Sequence, residues 1–398
     1  SFAAPFIKRE WSVNPALLGI IFSASLVGAI LGAAATSALG KRVSRRSLLA
    51  ACLLWFAAGS AATIFAGNTT ELLVCRLLTG IGLGAAIPLT LATIAESIPL
   101  SIRARSIAFV IGGIPFGGIL AGLTTASLAP EFGWRATFLV GAIMPLVIAP
   151  IIWFNVRESV SSLVRRGVGD DRIVETLRRS GVAVATGELP SRAMPRFIRA
   201  PFRELVRGGY ARSTIPVLVA ILFGAVLGYF LTQWVPALLR GAGSSEREAS
   251  IRGAYLNAGA IGAILTFGYL MDRWGVIRVT AFGYACAIPM VALLGQTHLL
   301  GNLIDPVLVL AGLFGVGSQV GTTAIVATRY PSQLQVAMGS LTYISSRLGA
   351  ILGPLVAGFL LYLGLDRVAL FYVMCIPPVV VLSCVLLLRD RPADATGV

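Results

Sequence analysis

Charge is scarce in this chain. Asp, Glu, Lys and Arg make up 12% of its 398 residues and hydrophobic types 57%, about half the charged share that a soluble domain uses to cover its surface. Water is therefore excluded as the solvent for most of the molecule. Histidine occurs once, at His298, too few for a metal site; the residue reads as a polar group at an outer helix end. The five cysteines, Cys52, Cys75, Cys286, Cys375 and Cys384, all fall in apolar runs without zinc-like spacing, which makes them packing residues. Lysine is confined to Lys8 and Lys41, a bias associated with GC-rich bacterial genomes. No G-x-S-x-G, H-E-x-x-H or G-x-x-x-x-G-K-[ST] string is present. An enzyme, a cofactor and a nucleotide-driven pump are thus not expected.

What the chain has instead is a series of apolar runs long enough to cross a bilayer, each needing about 20 residues because a helix rises about 1.5 Å per residue through a hydrocarbon layer of about 30 Å. About eleven are counted, at 16–39, 47–66, 72–95, 105–128, 136–156, 213–239, 253–271, 279–298, 305–328, 336–363 and 368–388. An all-α integral membrane protein is the expected fold class. The formal charge of +15 does not point to nucleic acid, because the arginines occupy alternate loops and form no single basic face. Lys41, Arg42, Arg45 and Arg46, then Arg103 and Arg105, Arg273 and Arg278, Arg329, and Arg389 and Arg391 follow every second span. This places those loops in the cytoplasm and the nearly uncharged ones outside. The bacterial inner membrane is the expected location.

The longest loop, 157–212, divides the chain into an N-terminal half, 1–156, and a C-terminal half, 213–398. Five spans precede it and six follow, with the first residue assigned outside, so a six-plus-six layout lacking its first helix is expected. Internal echoes support two related halves. Gly112, Gly113, Pro115, Gly117, Gly118 and Gly122 match Gly349, Gly353, Pro354 and Gly358 as small-residue stripes, which either flex between halves or simply pack closely. The turn Gly268-Tyr-Leu-Met-Asp272-Arg273-Trp-Gly275 is echoed weakly at 37–44.

That turn, with RLLTGIGLGAAIP from Arg76, Ala95-Glu96-Ser97, Gly133-Trp134-Arg135, Arg157-Glu158-Ser159, YFLTQWVPALL from Tyr229, Tyr330-Pro331 and RLGAILGP from Arg347, resembles the major facilitator superfamily, and in particular its aromatic acid:proton symporter branch. The resemblance spans the whole chain apart from the first helix. It implies two six-helix halves, alternating access, and a monomer in the lipid bilayer that imports benzoate-type or hydroxybenzoate-type carboxylates together with protons. The chain departs from the pattern at Lys41, where the family has aspartate, at Ser37 and Ser44 in place of glycines, and at Gln335 in place of arginine. Carriage of drugs or other small organic acids, and a non-transporting fragment or sensor, are the competing readings.

Candidate site residues follow from depth and chemistry. Arg347 lies about eleven residues into its span, near the midplane, where a guanidinium is costly unless it faces a polar cavity. Its planar fork suits a carboxylate ligand, and no acid stands at comparable depth to pair with it permanently. Arg76 is placed to line a pore or to pack, since Gly80, Gly84 and Pro88 continue its stripe. Tyr229, Gln233, Asn257, Gln319 and Tyr343 are the polar and aromatic groups suited to a ring-shaped ligand, with Asn257 and Gln319 alternatively gluing helices. Trp234 reads as an interfacial belt residue. Glu96 with Arg42, Arg45 and Arg46, and Asp272 with Arg273, are candidates for salt-bridge gates that form in one conformation and break in the other; solvated helix ends are the alternative.

Overall fold

The computed structural model describes residues 2–39, 43–97, 100–156, 205, 210–330 and 332–389. The 157–212 connector before Tyr210, apart from Leu205, lies outside the described residues, as do Lys41, Arg42, Pro331 and the side chain of Glu96.

Every regular element among the described residues is helical: α1 (Ala4–Trp11), α2 (Pro15–Leu39), α3 (Arg45–Ile64), α4 (Thr69–Ser97), α5 (Leu100–Phe132), α6 (Arg135–Asn155), α7 (Ala211–Gly241), α8 (Glu246–Trp274), α9 (Val276–Gly295), α10 (Thr297–Leu300), α11 (Ile304–Ala311), α12 (Gln319–Arg329), α13 (Ser332–Tyr362), α14 (Arg367–Val373) and α15 (Ile376–Arg389). Eleven stretches are long and apolar enough to cross a membrane. The ninth, Thr297–Arg329, is not one continuous helix. A 3-10 turn at Gly301–Leu303 and a π-helical turn at Gly312–Val316 interrupt it.

Helix starts follow local chemistry. Free N–H groups in the first turn need acceptors, and Asn14 Oδ1 accepts from Leu17 N at 2.8 Å, Ser44 Oγ from Ser47 N at 3.1 Å, Asn68 Oδ1 from Glu71 N at 2.9 Å and Asp366 Oδ1 from Ala369 N at 2.9 Å. Ser245 and Glu248 close a reciprocal capping box on α8, satisfying two donors at once.

The helices sort into two compact units. One comprises Ala24–Ile111 and Phe138–Ile198. In it α2 and α4 interlock through glycines: side chains added at Gly28 and Gly32 would strike the Leu77 and Ile81 carbonyls, and at Gly80 and Gly84 those of Ser25 and Ala29. Backbones at this separation gain dispersion energy where lipid offers no hydrophobic drive between helices. The Gly80–Gly84 stripe is therefore a packing seam, not a pore wall.

The other unit comprises Ser1–Ser23, Gly112–Thr137 and Arg199–Val398. Its centre is the α7–α13 pair, where Gly349 and Gly353 sit against the Leu222 and Val226 carbonyls and Ser345 Oγ donates to Leu218 O at 2.7 Å. The α13 stripe thus packs closely, while Gly112, Gly113 and Gly117 of α5 meet nothing within 4 Å. At one end of α7, Arg329 donates to Ser213 Oγ at 3.3 Å and Leu388 O at 2.9 Å, and the Tyr330 and Thr214 hydroxyls lie 3.1 Å apart. Trp234 corrects the belt expectation. It is 2% exposed, donates its indole N–H to Pro354 O at 3.1 Å and meets Phe22 edge-on at 5.5 Å. A polar acceptor inside the protein satisfies the indole as well as a headgroup would.

Candidate functional site

Arg347 stands on α13 in the second unit, ten residues beyond the start of the apolar span at Ala337, hence about 15 Å along the helix. The Ser345 bond and the Gly349 contact bracket it and hold that stretch of α13 against α7. Its Nη1 approaches the Tyr229 hydroxyl at 3.3 Å, and its guanidinium carbon lies 4.9 Å from the centroid of the Tyr343 ring. Tyr343 precedes it by four residues, so the two side chains stack on one helix face.

Two polar atoms here are left over. Arg347 Nε and Tyr343 Oη are buried and have no hydrogen-bond partner among the described residues, and no ion pair neutralises the guanidinium there. Buried donors are ordinarily satisfied, so exceptions need an explanation. A cation with an unpartnered Nε–H, beside two tyrosines, has a donor for a carboxylate and apolar faces for a ring attached to it.

The remaining expected ligand residues divide. Gln319 begins α12 with its amide against Gly228 of α7, one residue from Tyr229, and makes no side-chain hydrogen bond among the described residues. Gln233 lies one turn beyond Tyr229 on α7, half-buried. Asn257 is committed elsewhere: its Nδ2 donates to Gly253 O at 3.0 Å and its amide fills the space a side chain at Gly118 would need. That bond stays within α8 and the Gly118 contact is steric, so Asn257 makes no side-chain hydrogen bond to another helix among the described residues.

Arg76 belongs to the first unit. Its guanidinium donates to Thr63 Oγ1 and covers the Phe138 ring at 4.5 Å. Of the expected gate residues, Arg46 caps the Trp153 ring at 4.9 Å; Arg45 opens α3. Asp272 and Arg273 are exposed and form no ion pair or hydrogen bond among the described residues. Gln335, where arginine was expected, donates to Ala327 O at 3.1 Å and Tyr330 O at 2.9 Å, satisfying carbonyls at the end of α12 that would otherwise be orphaned.

One cluster escaped the sequence reading. Glu10 of α1 accepts from Trp134 Nε1 at 2.6 Å and from Arg135 Nη1 at 2.9 Å, while Arg135 stacks on Trp134 at 4.4 Å and neighbouring Arg9 pairs with Glu246 at 3.1 Å. Burial raises the Glu10 carboxyl, but hydrogen bonds from Arg135 and Trp134 together pull it below its ordinary 4.5. The Gly133-Trp134-Arg135 string was visible; its partner 124 residues away was not. Arg252 was missed similarly, and it pairs with Asp305 at 3.0 Å and donates to Ser244 Oγ at 2.6 Å.

Comparison with known proteins adds an independent line. Residues 1–318 match the Major Facilitator Superfamily profile. The chain is 33% identical to a gallate transporter of Pseudomonas putida over 94% of its own length and 84% of that protein's. It is 30% identical to the 4-hydroxybenzoate transporter PcaK of Pseudomonas aeruginosa, over 97% and 87%. Among solved structures, the nucleoside transporter NupG superposes with a TM-score of 0.71 at 14% identity, covering 98% of this chain and 94% of that one. The xylose transporter XylE from E. coli, in a partially occluded inward open conformation, gives 0.67 at 16%, covering 95% and 88%.

Proposed function

The chain belongs to the major facilitator superfamily and is a multi-pass membrane protein, and from that premise we propose that it imports aromatic carboxylates of the benzoate or hydroxybenzoate type by proton symport. The carrying observation is the unsatisfied Arg347–Tyr343 pair beside Tyr229. The substrate carboxylate accepts from the free edge of the Arg347 guanidinium, and the tyrosine rings line its apolar body. The names of the curated relatives, transporters of gallate and 4-hydroxybenzoate, support this substrate class. In this reading residues 1–156 and 213–398 are the two halves of an alternating-access carrier in a bacterial inner membrane, joined by a cytoplasmic connector. The binding site opens to each side in turn.

Binding energy comes from a charge-assisted hydrogen bond made only when substrate is present, worth about 1.5–3 kcal/mol, and from removing the ring from water. An empty site leaves the Arg347 edge unsatisfied, so loading removes a cost as well as adding a contact.

Uptake of radiolabelled benzoate and 4-hydroxybenzoate into cells expressing the full-length protein tests this. Wild type should accumulate both, a protonophore should collapse accumulation, and Arg347→Ala should lower uptake about 10- to 100-fold. The methyl ester should not compete, since esterification removes the charge. Competition by the ester equal to that of the acid would move the protein to the other facilitator readings, carriage of drugs or of other small organic molecules. Normal uptake by Arg347→Ala would sink the site while leaving the substrate class standing.

A further inference from the structure

Helix α1 has two ends of different character. Phe2, Ala3, Ala4, Phe6 and Ile7 are buried, whereas Lys8, Arg9 and Glu10 are exposed. The buried end is wedged where α5 and α8 meet. A Cβ added at Gly122 of α5 would lie 2.9 Å from the Ser250 carbonyl and 3.2 Å from the Phe2 ring, and one added at Gly253 of α8 would lie 2.5 Å from the same ring. The polar end lies with the α5–α6 and α7–α8 turns, on the face that the arginine pattern assigns to the outside.

The two adjacent charges at that end have different partners. Glu10 is held by Trp134 at 2.6 Å and Arg135 at 2.9 Å, all within residues 1–156. Arg9 pairs at 3.1 Å with Glu246, which opens α8 in the half 213–398. Among the described residues, the ion pairs Arg135–Glu10, Arg240–Glu246 and Arg252–Asp305 each stay inside one half. Arg9–Glu246 therefore joins what the others leave separate. Its release strands no charge: the Arg9 side chain is 70% exposed and returns to water, while the Glu246 carboxylate, 13% exposed, already has Arg240 of its own half at 3.9 Å. A buried charge left without such a partner would make release costly.

We propose that α1 is a strap across the outer end of the protein. The Glu10–Trp134–Arg135 clasp fixes it to the first half, and Arg9–Glu246 fastens it to the second as a catch that opens by passing Glu246 to Arg240. This rests on the alternating-access part of the functional reading and not on the identity of the substrate. With the catch fastened, Phe2 and the α5–α8 contact seal the outer end; with it released, α1 leaves with the first half and uncovers that contact. A solvent-exposed ion pair is a weak fastening, so it biases the equilibrium about two- to fivefold and still permits turnover.

Ala254 is 3% exposed and lies against Gly122 at the α5–α8 contact, which makes Ala254→Cys a reporter of outer opening. The experiment follows the rate at which a membrane-impermeant maleimide labels that cysteine in the full-length protein in right-side-out vesicles. The backgrounds are wild type, Arg9→Gln, Arg240→Gln, Glu246→Gln, and Glu246→Gln combined with each arginine change. The five native cysteines lie within spans, and protein without the reporter gives their background; Arg247→Cys, exposed beside the catch, gives the rate without a barrier. Arg9→Gln should raise the Ala254→Cys rate about two- to fivefold and Arg240→Gln should lower it about twofold. Both effects should vanish in the Glu246→Gln background, because each acts through that one carboxylate. A rate indifferent to Arg9→Gln, a rate that Arg240→Gln raises or leaves alone, or effects that persist without Glu246 would each overturn the strap. So would wild-type labelling of Ala254→Cys as fast as that of Arg247→Cys, since the outer end would then be unsealed. Labelling at background in every variant would instead fail the alternating-access reading itself, because the outer end would never open.

Discussion

Gly80 and Gly84 on α4 and Gly224 and Gly228 on α7 are the same pattern in sequence, two glycines four residues apart in an apolar run. They do opposite things. The α4 pair lies against the Ser25 and Ala29 carbonyls of α2, and those carbonyls belong to a backbone that cannot yield. The α7 pair lies against an amide and a phenol hydroxyl, the far ends of side chains from α12 and α9. Small residues at four-residue spacing mean only that something comes close. What comes close decides whether the stripe is a seam between helices or a berth for polar chemistry.

The largest expected effect breaks the first of these. Gly84→Ala puts a methyl group into the Ala29 backbone, and overpacking of this kind costs about 1–3 kcal/mol, read as a lowered thermal unfolding midpoint of the detergent-solubilised protein; Gly84→Leu should leave little folded protein. The counterpart Gly228→Ala should stay within about 0.5 kcal/mol of wild type in the same assay, and equal destabilisation by the two alanines would erase the contrast. Next in size is Trp234→Phe, which keeps most of the packing against Phe22 but leaves the Pro354 carbonyl without its indole donor, at a cost of about 1 kcal/mol. An unchanged midpoint would deny the indole–Pro354 hydrogen bond any weight in stability. The smallest effect is confined to acid. Because the folded Glu10 carboxyl is held below 4.5, its contribution is present above that pH and is lost as pH falls through the lowered value. Thermal melts taken from about pH 6 down to about pH 3 should therefore show wild type losing an increment that Glu10→Gln never had, and parallel curves would deny the Trp134–Arg135 clasp any weight.

Some relations needed only one helix. Arg347 was placed by counting residues from a span boundary, and Tyr343 is four residues away on the same helix, so their stacking is a local consequence. The other polar and charged candidates needed more than that. Asn257 and Gln319 looked alike as uncharged amides at membrane depth, and each lies against a glycine, yet one donates to Gly253 O and the other makes no side-chain hydrogen bond among the described residues. Arg76 looked continuous with a stripe suited to packing or to lining a pore, and the glycines of that stripe face α2 while its own guanidinium meets Thr63 and Phe138. Glu96 and Arg42 lie where the structure describes no side chain, and the gates they were assigned to remain proposals.

The helical class, the eleven apolar spans and the family were all determined by the sequence alone. Those properties depend on composition and on spacing within a few turns, and the bilayer imposes one length on every span. Only the tertiary structure decided which glycine stripe is a seam and which meets side-chain ends, which amide donates to a carbonyl, where the Trp234 indole points, and that Glu10 is tied to Trp134. These turn on which surfaces meet between segments far apart in the chain. No periodicity along the chain carries that information, because a helix presents the same pattern whichever neighbour covers it.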